Sequence, residues 1–159
     1  MGRKKSYINS HSGPLPIALQ GAGLSRLIPD STLQFNKNVS LTWTGRVQPT
    51  EMSEVYTIRI RYRLRERPQV TVLEPELTSR NGDRIPHLFP GNELCLFRYK
   101  YFEWNSRMSL ADTVLPWASL WLLHYEIWHA TGVWCGSKQE HPESDKPKEP
   151  EQTISDMDK

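Results

Sequence analysis

From Tyr56 to Leu64 the chain alternates without a slip, with Tyr56, Ile58, Ile60, Tyr62 and Leu64 on one side and Thr57, Arg59, Arg61 and Arg63 on the other. A period of two sends successive side chains to opposite faces of a strand, so this segment specifies a sheet with one dry face and one wet face. The dry face must be covered by a second layer. A chain with this feature therefore needs apolar strands beside it and an amphipathic helix to close the core.

Neighbouring segments supply both. Val39, Leu41 and Trp43 alternate with Ser40, Thr42 and Thr44, and Gly45 predicts a bulge or bend in that strand. A third strand near Gln69 to Leu73 follows Glu66-Arg67-Pro68, a connection too short for a crossover helix, so its pairing is antiparallel. Asn81-Gly82-Asp83 marks a turn before an extended segment from Ile85 to Phe89. Leu15 to Ile28 holds apolar residues at helical spacing, but Gly21 and Gly23 predict a short or broken helix, closed by Pro29-Asp30.

After Trp104 the period becomes helical. Ser109 to Asp112 fits a capping box, and Leu110, Val114, Trp117, Leu120, Trp121, His124, Ile127 and Trp128 form an apolar stripe. Pro116 has no N–H to donate, so a short turn is expected first, with the main helix starting near the proline. Thr131-Gly132 supplies the stop, and Val133-Trp134 can fold back on the helix. The architecture expected is α+β, with an N-terminal helix, a four-stranded antiparallel meander and a C-terminal helix. One domain would span residues 14–136. Residues 1–13 read as disordered, and 137–159 as a disordered acidic, Pro-rich tail.

Composition narrows the class. Two cysteines in 159 residues make no disulfide framework, which favours a reduced, cytoplasmic setting. No apolar run is long enough to span a bilayer, and Met1-Gly-Arg-Lys-Lys is not followed by the apolar stretch of a signal peptide. Gly2 with Ser6 is only a loose myristoylation match. A net charge of +2 points to no particular partner.

The segment richest in chemistry runs from His87 to Trp104, with Cys95 eight residues after His87 and nine before Trp104. A thiolate attacks carbonyl carbon and forms reactive thioesters, so a loop cysteine is a candidate acyl-carrying nucleophile. Arg98, Lys100 and Arg107 flank Cys95, and nearby cations lower a thiol pKa. The bland alternative is a buried structural cysteine. Cys135, beyond the helix stop, reads as a spectator. His87 is either a base for Cys95 or a clasp that bonds loop backbone, and the clasp is the better reading. Zinc is disfavoured, because Cys95, Cys135, His124, His129 and His141 include no Cys-x-x-Cys pair and no helical His pair at four-residue spacing. Arg59, Arg61 and Arg63 make a basic ridge suited to a protein partner. Without interleaved aromatics on that face, nucleic-acid binding has little support.

Taken together, these residues resemble the ubiquitin-conjugating enzyme family. His87-Leu-Phe…Leu94-Cys95-Leu96 is similar to its His-Pro-Asn…apolar-Cys-Leu element, and Trp104-Asn-Ser-Arg-Met-Ser-Leu-Ala-Asp112 is similar to the segment leading into its next helix. The string Leu-Cys-Leu…Glu-Trp…Ala-Asp-Thr…Pro-Trp-Ala-Ser…Trp-Leu…Tyr-Glu-Ile-Trp…Thr-Gly-x-Trp over residues 94–134 resembles more closely the conjugating-enzyme-like proteins of bacterial CBASS antiphage operons. The resemblance implies a thioester on Cys95 with the C-terminus of a partner, the operon's cyclic-oligonucleotide synthase (CD-NTase-like), and transfer to an amine. The family's Asn two places after its His is Phe89 here, so Asn92 or Asn105 would have to donate to the oxyanion. Trp104 would pack beneath the site. Asp112 and Glu126 are the acids available to position an incoming lysine.

No metal or organic cofactor is expected. The chain carries no Gly-rich nucleotide loop, so an activating enzyme or a pre-activated partner is implied. Two other readings stand beside this one. A non-catalytic adaptor of the same fold would use the Arg59, Arg61 and Arg63 ridge, and a cysteine hydrolase would need a histidine within reach of the Cys95 sulfur.

Overall fold

The computed structural model describes residues 13–98 and 103–136. A helix, α1 (Ile17–Leu27), is followed by a meander of four strands: β1 (Thr32–Asn36), β2 (Ser40–Val47), β3 (Tyr56–Arg63) and β4 (Gln69–Glu74). A short hairpin, β5 (Leu88–Phe89) and β6 (Glu93–Leu94), comes next, and then the long helix α2 (Val114–Thr131). All strand pairs are antiparallel, in the order β1-β2-β3-β4-β6-β5. The sheet thus has six strands where four are expected. The two unexpected strands are β1 and β6, and β6, not β5, lies against β4.

β3 alternates as read: Tyr56, Ile58, Ile60 and Tyr62 are buried, while Arg61 and Arg63 are exposed. Its register sets Leu41 opposite Tyr62, Trp43 opposite Ile60 and Val70 opposite Ile60 on the other side, which builds the dry face from three strands. α2 covers part of the core with Val114, Leu115, Ala118, Trp121, Leu122, Tyr125 and Trp128, one stripe at helical spacing. Its end is stopped by Gly132, left-handed at φ 82°, whose N–H donates to the Trp128 carbonyl.

Several local expectations are corrected. α1 is continuous. Gly21 is there for closeness, since a Cβ would lie 2.7 Å from the Phe35 ring and 2.8 Å from Leu33. That contact seats the helix on β1, a strand the sequence reading missed. Gly45 keeps regular register opposite Ile58, and the register shift falls between Thr57 and Ile58 instead. Gly45 makes room for the Trp43 ring, which an added Cβ would meet at 2.4 Å. Pro116 is the third residue of α2, inside the first turn, where no N–H partner is required. Ser109 Oγ accepts the Asp112 amide, but that turn precedes α2 and is not its first.

Gln20 joins α1 to the segment before α2. Only 1% exposed, it donates through Nε2 to the Met108 carbonyl (2.9 Å) and accepts the Leu110 N–H at Oε1 (2.8 Å). Replacing it with Ala strands two buried backbone groups. The Gln20→Ala variant is expected to lose about 2–4 kcal/mol of stability in denaturant unfolding. A loss below about 0.5 kcal/mol, the size of a neutral surface change, would show that this bridge is not what holds α1 to the 106–113 segment.

Candidate functional site

Cys95 leaves the sheet directly after β6. The Leu88–Leu94 pair closes the hairpin, and the ladder runs on one step as the Cys95 N–H donates to the His87 carbonyl at 3.0 Å. The same carbonyl accepts Trp121 Nε1 from α2, also at 3.0 Å. His87 has φ 53° and Asn92 φ 60°, both left-handed, and Gly91 between the strands has φ 80°. The turn at the tip therefore depends on Gly91 and Asn92, residues that tolerate this backbone region.

Cys95 is 7% exposed and lines a cavity of about 130 Å³. Trp117, Trp121 and Trp134 wall it, with Leu96 and Leu120. His87 and His124 also line it, and Gly136 completes the rim. Trp134 folds back from the end of α2, its ring 5.1 Å from His87, 5.5 Å from Trp121 and 5.8 Å from His124. His124 stands in the helical stripe and among the potential metal ligands, and no spacing in the sequence links it to Cys95. The helical step from Trp117 and Trp121 to His124 was the available signal.

The charge environment of the thiol reverses the expected one. Burial pushes the Cys95 pKa up to about 11; Glu93 raises it further, Arg67 opposes, and Glu103 again raises it. Of the cations expected to depress it, Arg98 turns to Glu103, with Nε 3.7 Å from the carboxylate and its amide donating to Oε2 at 2.7 Å. Arg107 is not among the groups that move the thiol, and Lys100 lies outside the described residues. Arg67, which does act, reaches Glu93 from the β3–β4 turn and forks onto its carboxylate.

The other singled-out residues are spread out. Asn92 is exposed on the hairpin turn, and Asn105 uses its Oδ1 to accept the Arg107 amide. Trp104 is buried against Tyr62 and Phe97, centroids 5.4 and 6.3 Å away, so it supports the chain after Cys95 from within the core. Glu126 lies elsewhere: its Oε1 accepts the Tyr56 hydroxyl and the Glu54 amide, each at 3.0 Å. Asp112 is exposed in the turn before α2. Arg61 and Arg63 stand on the outer sheet face with Arg59 half-buried beside them, and Arg63 pairs with Glu66 at 3.3 Å.

Among the described residues, no group of three or more His, Cys, Asp or Glu side chains converges to hold a metal ion, and no helix is long and apolar enough to cross a membrane. Gly2, His141 and the tail lie outside the described residues.

A search of curated proteins found no match. The model of the family described as Type II CBASS E2 protein matches residues 20–142, a span that holds most of α1, all six strands, α2 and the Cys95 cavity. The chain belongs to the Type II CBASS E2 protein family.

Proposed function

We propose that Cys95 carries an acyl group as a thioester. The donor is the C-terminus of a partner protein, the cyclic-oligonucleotide synthase of the same antiphage system, and the final acceptor is an amine. The observation that supports this most is the placement of Cys95, backbone-held at the end of β6 and lining a cavity, in a chain of a conjugating-enzyme-like family. In the first step Sγ bonds to the activated donor carbonyl and the leaving group departs. In the second the amine nitrogen takes over that carbonyl, the C–S bond breaks and the thiol is regenerated. Activation comes from a separate protein or arrives with the partner. The work takes place in the cytoplasm, and no cofactor is required.

In this reading the His87 carbonyl shapes the loop, Asn92 supplies an oxyanion donor and Trp104 holds the segment beneath. An adaptor role is the second reading, favoured by Arg61 and Arg63 standing exposed on the outer sheet face. If it is right, Cys95→Ala keeps phage resistance, whereas reversing the charges of Arg61 and Arg63 abolishes it.

The direct test expresses wild-type chain and Cys95→Ser with the neighbouring genes and weighs each intact. A wild-type adduct lost on treatment with thiol, together with a thiol-resistant ester on the serine variant, is the expected result. Wild-type protein left unmodified beside abundant partner would move the assignment to the adaptor.

A thiol held near 11 has a second consequence. In a Cys135→Ser background, alkylation of Cys95 by iodoacetamide should quicken about tenfold per pH unit from pH 7 to 10, because only the thiolate reacts. A rate already level by pH 8 would mean that the flanking cations, not burial and Glu93, control this sulfur.

Trp121→Phe keeps most of the ring and deletes the bond to His87. The expected outcome is a folded protein destabilised by about 1 kcal/mol. Its Cys95 should acylate several-fold more slowly, read by timed intact mass; an unchanged rate would remove Trp121 as a positioning residue.

A further inference from the structure

We infer that the cavity beside Cys95 is a specificity pocket for an apolar side chain borne by one of the last two residues of the acyl donor. The inference rests on the thioester reading and adds the class of donor. Three tryptophans and two leucines supply most of the wall, His87 and His124 supply its polar part, and among the described residues no Asp, Glu, Lys or Arg lines it. An apolar group gains by leaving solvent for such a wall.

Covalent geometry selects the occupant. Once the thioester forms, the donor's terminal Cα is two bonds from the sulfur and its Cβ three. The preceding Cα lies only about 3.8 Å farther back along the chain. These side chains are therefore the groups that acylation itself brings to the wall containing Cys95. The size agrees: the space is about 130 Å³. An apolar cavity of about 150 Å³ accepts benzene, so a leucine or phenyl side chain is of the right order. Charge at the donor terminus has no counterpart here, because Arg67 and Glu93 already engage each other outside the lining.

The test supplies pre-activated donors, so that no activating protein is needed. Short peptide thioesters ending Gly-Gly, Gly-Leu, Leu-Gly, Gly-Phe and Gly-Asp are mixed with full-length Cys135→Ser protein. In each exchange the Cys95 thiolate takes the acyl carbon and the leaving thiolate collects a proton. Second-order rate constants come from intact mass. A leucine or phenylalanine at one of the two positions should react about tenfold or more faster than Gly-Gly, the discrimination an apolar pocket offers per buried methylene. Leu120→Trp, a change on the half-exposed rim of the cavity, should erase that preference, so that Leu and Gly donors react alike.

Equal rates for all five peptides on wild-type residues at the cavity would overturn the pocket while leaving the thioester reading intact. That result would return the space to another occupant, such as this chain's own residues beyond Gly136. A preference for the Gly-Asp donor would likewise overturn it. Failure of every peptide to acylate Cys95, in protein with an unaltered melting curve, would overturn the thioester reading and this one with it.

Discussion

One carbonyl organises the site. The His87 oxygen has two lone pairs and accepts two donors, the Cys95 amide from the hairpin and the Trp121 indole from α2. The first bond sets the thiol's position along the chain, and the second ties that position to the helix layer. Neither donor is exposed enough to find water easily, so losing the acceptor would leave both without a substitute. The left-handed backbone at His87 is maintained by this arrangement. The side chain of His87 plays a separate part, lining the cavity against Trp134, so a single residue serves the loop through its backbone and the cavity through its ring.

The thiol's chemistry follows from where this clasp places it. Had the sulfur projected toward Arg98 in solution, it would have been a low-pKa nucleophile. Instead it is buried, with Glu93 nearby and Arg98 occupied by Glu103. Desolvation disfavours the anion, and the carboxylates of Glu93, two residues back, and Glu103 add to it. Arg67 offsets this only in part because its guanidinium is already shared with Glu93. A charge that is near in sequence and a charge that is near in space are different charges here.

That distinction marks how far the sequence could be read. Alternation from Tyr56 to Leu64 and the stripe of α2 were legible because one face of each is dry, and burial leaves a periodic trace. β1 was not, since only Leu33 is even partly buried on an edge strand whose other residues, Phe35 included, are exposed. The hairpin was read as one extended segment because two residues per strand are too few to show a period. Gly21 of α1 and Gly45 of β2 looked like defects and proved to be close contacts, the first with the Phe35 ring of β1 and the second with the Trp43 ring of its own strand. For the site, Cys95 and His87 were visible as a pair. The return of Trp134 onto the helix after Gly132 was legible too, but its convergence with His124 and His87 on the Cys95 cavity was not, because that depends on how α2 packs against the hairpin.

A protonated, shielded thiol discriminates between the chemistries open to it. A hydrolase works from a thiolate at rest, poised beside a base, and gains from a sulfur that leaves readily. A carrier has the opposite needs. Its sulfur should stay quiet until an activated donor is bound, and the thioester it forms should resist water until the amine arrives. Raising the thiol pKa serves the second purpose directly, because the higher the pKa of the departing thiol, the more slowly it is expelled. The aromatic wall helps in the same direction by limiting water around the carbonyl. The cost is a slower first attack, which an activated carboxyl group can offset and an ordinary amide cannot. Under the proposed thioester function, the features that make Cys95 look inert as a hydrolytic nucleophile are those that would suit it to hold an acyl group between two partners.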